Sequence, residues 1–162
     1  VPEEYGGMGL DDFRYNTILI EESVKAENPG FGHSVQNDLV VPYLLRHSTE
    51  EQKKRWLPKI CSGETIGALA MTEPGGGSDV AAIKTLAKDM GDHFLVNGSK
   101  SFITNGLLAD LVIVACKTDS KAGAHGISLI ILERGMEGFD RGNKLDKIGQ
   151  FGQDTAELSS KM

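Results

Sequence analysis

The sequence predicts an α+β chain, with helices over its first third and a small antiparallel β-barrel or sandwich over the rest. Two observations carry this. Apolar residues recur at helical spacing up to Gly63 and in short extended runs beyond it. Those runs are rich in β-branched residues and separated by turn-rich stretches rather than by helices, which argues against a doubly wound sheet. The organisation expected is therefore a helical part over 1–62 and a β domain over 63–162.

The turn-rich "PEEYGGMG" comes first. Asp11 is then placed to cap a helix in which Phe13, Thr17, Ile20 and Val24 share a face, with Asn28-Pro29-Gly30 ending it. Val35, Leu39, Val41, Leu44 and Leu45 mark a second apolar segment, in which Pro42 predicts a kink or break. Ser48-Thr49-Glu50-Glu51 reads as a capping box, with Ser48 at the cap and Glu51 answering it. The helix it opens carries Trp56, Leu57 and Ile60, is disturbed at Pro58, and closes at Ser62-Gly63. Ile66 to Thr72 then reads as a buried strand. His93 to Asn97 and Lys100 to Thr104 read as a hairpin about Asn97-Gly98, a strong local turn signal. Leu111 to Cys116 and Ile127 to Leu132 are further strands on either side of "KTDSKAGAHG".

Composition narrows the function. The formal net charge is -6, and the one basic cluster, Lys53-Lys54-Arg55, adjoins Glu50-Glu51 as a solvated helix face would. A nucleic-acid partner is thereby disfavoured. Cys61 and Cys116 stand in no metal-binding spacing and read as free thiols rather than a disulfide. No apolar run reaches the length of a transmembrane helix.

Two stretches hold candidate chemistry. In "ALAMTEPGGGSDV", residues 68–80, an apolar strand meets Thr72, Glu73, Pro74, Gly75, Gly76, Gly77 and Ser78. The glycines permit positive φ and close ligand approach, and successive N–H groups in such a turn can form an anion nest. The spacing fits neither the dinucleotide fingerprint nor a P-loop. Most Gly-rich turns bind nothing, so the loop alone decides little. In "GSKSFITNG", residues 98–106, strand alternation places Phe102 and Thr104 on one face, where an aromatic and a hydroxyl can flank a planar ring and bond its edge. A core Phe and a surface Thr would look the same.

In combination, "AMTEPGGGSD", "VNGSKSFITNG", "HGISLIILERGMEGF" and "KLDKIG", in that order, closely resemble the acyl-CoA dehydrogenase family. "PEEYGGMG" and "STEEQKKRWLPKICSGE" fit its helical region, and "AHGISL", "GMEGF" and "QDTAEL" look most like its long-chain members. The resemblance implies a flavoenzyme that removes two hydrogens from an acyl-CoA to give the trans-2-enoyl thioester in fatty acid β-oxidation. A base takes the α proton, the β hydrogen leaves as hydride to flavin N5, and electrons pass on to an electron-transfer flavoprotein. By matching motif, Leu69, Ala70, Met71, Thr72, Glu73, Pro74, Gly75, Gly76, Gly77 and Ser78 would contact FAD, with Thr72 near the pyrimidine edge. Phe102, Ile103 and Thr104 would make the second flavin contact, Thr104 near N5. Ser78, Lys117 and Thr118 would meet the acyl-CoA. The family is usually dimeric or tetrameric, so a homo-oligomer is expected. It is housed in the mitochondrial matrix in eukaryotes and in the cytoplasm of bacteria.

The resemblance also marks gaps. The family's catalytic base is a glutamate of a C-terminal helical domain not matched here, so no catalytic residue is assigned, and Glu21-Glu22 reads as a solvated pair. The first helices of the family are unmatched too, which makes the helical part partial and the chain a fragment on this reading. "GGG" stands where Gly-Ala-Gly is commoner, and "SSKM" departs from the family's continuation after Leu158. Two classes follow: an FAD-dependent oxidoreductase whose other domains lie outside this sequence, or a truncated non-catalytic module that at most binds flavin weakly.

Overall fold

The computed structural model describes residues 1–28, 30 and 32–161. Helix α1 spans Arg14–Lys25. Its start differs from expectation: Phe13 holds the cap position without a side-chain bond, and Asp12, not Asp11, accepts the Arg14 N–H at 3.0 Å. Lys25 is its last residue, and the Ala26 N–H still donates to the Glu22 carbonyl at 2.9 Å. Pro29 of the expected stop lies outside the described residues. No residue of α1 is buried, and Phe13, Ile18, Leu19, Ile20 and Val24 are all exposed.

Val35–Val40 form a π-helical turn that runs straight into α2, Val41–His47. The Val41 N–H reaches back five residues to the Gln36 carbonyl. Pro42 thus falls in the first turn of α2, where its missing N–H costs little. The break expected at Pro42 is instead absorbed as a widened turn before it.

Helix α3 spans Glu50–Ser62 and is capped one residue later than expected. Thr49 Oγ1 accepts the Gln52 N–H at 3.2 Å, and Gln52 Oε1 accepts the Thr49 N–H at 2.9 Å. Pro58 sits inside an unbroken helix, held there by the burial of Trp56, Leu57 and Ile60. Gly63, with φ of 80°, closes it as expected.

Seven strands follow among the described residues: β1 Gly67–Ala70, β2 Leu86–Asp89, β3 Phe94–Thr104, β4 Leu111–Lys117, β5 Ile127–Glu133, β6 Phe139–Lys144 and β7 Thr155–Lys161. They lie in the order β1-β4-β2-β3-β7-β6, with β5 also paired to β4. The sheet is mixed, since β4 runs parallel to both β1 and β2, and it curls into a half-barrel. Leu111 to Cys116 of β4 are all buried because each of its faces meets a core. Val112, Val114 and Cys116 join Ala68, Ala87, Val96, Leu132 and Leu158 inside the curl. Leu111 and Ile113 join Tyr5, Val40, Leu44, Trp56, Leu57 and Ile60 beneath the helices.

The hairpin expected at Asn97-Gly98 does not form. β3 runs through it, and the chain reverses between β2 and β3, where the Met90 N–H donates to the His93 carbonyl at 2.9 Å. Gly98 answers to packing instead, since a Cβ there would lie 2.4 Å from Thr85 Oγ1. Cys61 and Cys116 are both free thiols; burial pushes the Cys116 thiol up to about 11.

Candidate functional site

The segment after β1 crosses from core to surface within a few residues. Ala70 is fully buried, Leu69 packs toward the helices, Met71, Thr72 and Glu73 are half-buried, and Pro74 to Ser78 are exposed. Glu73 and Gly76 exchange two backbone hydrogen bonds of 3.1 Å, closing a tight turn over Pro74 and Gly75. Gly75, Gly76 and Gly77 take no positive φ, so the nest expected from their freedom is not formed. What two of them supply is space: a Cβ on Gly75 or Gly76 would meet nothing within 4 Å. The N–H groups of Gly75, Gly77 and Ser78 donate to no acceptor among the described residues.

The second stretch is shaped by a β-bulge. Pairing of β3 with β7 slips between Lys100 and Ile103. Lys100 and Ser101, though adjacent, are each only 3% exposed, while Phe102 is thrown outward at 69% with φ of 60°. For a bulky side chain that backbone conformation costs on the order of 1–3 kcal/mol, so surrounding structure must hold it. Ile103 returns to the inner core and Thr104 is half-buried. Asn105, also left-handed with φ of 63°, donates from Nδ2 to the Gly67 carbonyl at 3.0 Å. Asp154 Oδ2 accepts the N–H groups of Leu107 and Leu108 at 2.8 and 2.9 Å.

The two stretches are joined directly. The Ser101 N–H donates to the Thr72 carbonyl at 2.9 Å. Lys100 Nζ donates to the Met71 carbonyl at 3.0 Å and to Glu73 Oε1 at 2.9 Å. Glu73 also accepts from Lys84 N at 2.7 Å, Thr85 N at 2.9 Å and Thr85 Oγ1 at 2.6 Å. Burial alone would raise the Glu73 carboxyl. The hydrogen bonds from Thr85, Lys84 and Lys100 outweigh it and hold the group at about 2.

The third predicted group sits at the end of β4. The short 3-10 turn Val80–Ala82, just beyond Ser78, packs on the turn Gly123–Gly126. Thr118 donates its N–H to Gly126 O at 2.9 Å and shares a 2.7 Å hydroxyl contact with Ser128, while Lys117 N donates to Thr85 O at 2.8 Å. The segments carrying Ser78, Lys117 and Thr118 are thus brought together, with no hydrogen bond between Ser78 and the other two.

The hydroxyls of Thr72, Ser78 and Thr104 make no hydrogen bond within the described residues, whereas that of Thr118 does. Free hydroxyls, free N–H groups, an exposed aromatic and an open glycine turn suit a planar, polar-edged ligand bearing a phosphate. FAD has that chemistry. Sequence reasoning missed Lys100, Ser101, Thr85 and Asp154. Lys100 and Ser101 read as ordinary residues of a hairpin arm until the bulge buries both, Thr85 lies in a stretch without a motif, and Asp154 falls in "QDTAEL", which carries only a resemblance and no role.

The acyl-CoA dehydrogenase N-terminal domain matches residues 1–64 and the acyl-CoA dehydrogenase middle domain matches residues 68–162. The long-chain specific acyl-CoA dehydrogenase of Mus musculus mitochondria is 46% identical over 160 residues, 98% of this chain and 37% of that protein. The isovaleryl-CoA dehydrogenase of Solanum tuberosum mitochondria is 45% identical over 159 residues, covering 98% of this chain and 38% of its own length. The crystal structure of an acyl-CoA dehydrogenase from Geobacillus kaustophilus superimposes with a TM-score of 0.93 at 51% identity, over 99% of this chain and 43% of its own. The chain spans less than half the length of each of these relatives. By sequence and by fold, it belongs to the acyl-CoA dehydrogenase family.

Proposed function

We propose that this chain is the flavin-binding core of an FAD-dependent oxidoreductase that introduces a trans-2 double bond into an acyl-CoA thioester. The observation that carries this reading is the direct tie between Thr72 and Ser101, which joins the segment of the glycine turn to that of Phe102–Thr104 and supports reading them as one site. Thr72 and Thr104 offer free hydroxyls to the edge of a bound ring, and Phe102 offers an exposed aromatic beside it. The N–H groups of Gly75, Gly77 and Ser78 offer donors to a phosphate. FAD, when bound, supplies a hydride acceptor for the β hydrogen of the thioester. The protein's part is to place that acceptor and to favour its reduced, negatively charged form, each donor to a charged group contributing roughly 1.5–3 kcal/mol.

Ser78, Lys117 and Thr118 line the approach for the acyl-CoA on this reading. The base that takes the α proton belongs to the remainder of the protein, by family resemblance. An electron-transfer flavoprotein is the proposed acceptor, a homo-oligomer the proposed assembly, and the mitochondrial matrix or bacterial cytoplasm the proposed location. Relatives of similar identity are named for long-chain and isovaleryl thioesters, so fatty acid β-oxidation is proposed on the long-chain resemblance alone.

The test uses the full-length protein that contains this chain. Anaerobic addition of a long-chain acyl-CoA is expected to bleach the visible flavin band and release trans-2-enoyl-CoA. A purified protein with no flavin band, or a band unmoved by any acyl-CoA, contradicts the proposal.

A further inference from the structure

We infer that Lys100 and Glu73 form a buried clamp that positions the two flavin-contact stretches against each other, making both of them positioning residues for the cofactor. The inference rests on the flavin reading above and adds residues and a role to it.

The argument starts from cost. Lys100 is 3% exposed, and its side chain and that of Glu73 are 3% and 10% exposed. Taking an ammonium and a carboxylate out of water costs several kcal/mol each, and well-packed apolar residues of similar volume often serve stability as well or better. Stability is therefore a weak reason for this pair to be here. Direction is a better one. Both partners of Lys100 Nζ, the Met71 carbonyl at 3.0 Å and Glu73 Oε1 at 2.9 Å, flank Thr72. The next residue of β3, Ser101, holds the Thr72 carbonyl itself at 2.9 Å. Three bonds from two adjacent strand residues thus hold Thr72 and the residue on either side of it. An apolar pair would fill the space without supplying two of them.

Position along β3 makes the second half of the case. Lys100 stands at the bulge, two residues before the outward-turned Phe102 and in the same strand as the half-buried Thr104. Glu73 carries the clamp onward to Lys84 N, Thr85 N and Thr85 Oγ1, so the chain just before β2 is tied as well. Gly98 leaves room for Thr85, since a side chain there would strike Thr85 Oγ1. Lys100 is too buried to meet a ligand and acts only through what it holds.

The test is made in the full-length protein, with the wild type first shown to bind FAD. Two variants follow. Lys100→Met with Glu73→Gln removes both charges together. Lys100→Arg keeps the charge but replaces a point donor with a planar fork. As a control, Val112→Ala thins the same inner core away from the clamp. Both clamp variants are expected to raise the FAD dissociation constant at least tenfold and to shift the visible spectrum of the bound flavin, while Val112→Ala lowers the unfolding temperature and leaves both readouts within twofold. Should the double variant fail to fold, Lys100→Arg decides by the same readouts. Clamp variants with wild-type affinity and spectrum overturn the inference, as does a control that loses flavin equally. A wild type that binds no FAD contradicts the flavin reading itself, and the clamp falls with it.

Discussion

Glu73 is the residue at which burial, charge and backbone geometry meet. Its carboxyl is held at about 2, against an ordinary 4.5, because three hydrogen bonds donated by Lys84 and Thr85 and one from Lys100 favour the anion over the desolvation that opposes it. A carboxyl depressed in the folded state contributes stability that is complete above its unfolded value and lost as pH falls toward its folded one. The window is therefore from about 4.5 down to about 2. Glu73→Gln is expected to lower stability at neutral pH and to flatten the fall in unfolding temperature across that window. A variant whose acid profile runs parallel to that of the wild type shows that Glu73 is not the group being titrated. Thr85 is bound into the same arrangement, and nothing in its local sequence, "IKTLAKD", distinguishes it from a strand-edge threonine. That is why Glu73 was legible as part of a loop but not as half of an ion pair.

At the level of elements, the sequence disclosed periods better than junctions. The helical segments α2 and α3 and the strands at β1, β4 and β5 follow from apolar spacing, because burial dictates that spacing directly, whereas α1 keeps the helical period although none of its residues is buried. The cap of α3 was misplaced by one residue, since Ser48 and Thr49 are chemically equivalent as caps and only the helix register chooses between them. That choice is measurable. Thr49→Ala is expected to destabilise the protein by about 1 kcal/mol and Ser48→Ala by less than about 0.5 kcal/mol. Equal effects, or the reverse order in thermal unfolding, contradict the observed capping box. The Asn97-Gly98 turn failed for a different reason: a local turn signal lost to a long-range contact, the approach of Thr85 to Gly98. The bulge in β3 was invisible for the same kind of reason, because it depends on pairing with β7 more than fifty residues later.

The whole molecule is a sheet with a core on each face. β4 is the element both cores share, which links the helical part to the half-barrel. The exposed apolar residues of α1 and of the loop bearing Ile148 and Phe151 contrast with this; they face no partner among the described residues. The site itself was half legible. The two motifs of the proposed site could be read from "MTEPGGGSD" and "SFITNG", while the bonds that join them could not, because they run between a loop and a bulge.

The central claim is that Thr72 and Thr104 belong to one flavin site, and it is tested by the FAD affinity of Thr72→Ala, Thr104→Ala and the double variant in the full-length protein. Each single change is expected to weaken FAD binding about tenfold or more, or to slow single-turnover flavin reduction by a similar factor. In the double variant the two effects are expected to be non-additive, as for groups bound to one ligand. FAD content and single-turnover reduction unchanged in all three variants contradict the account.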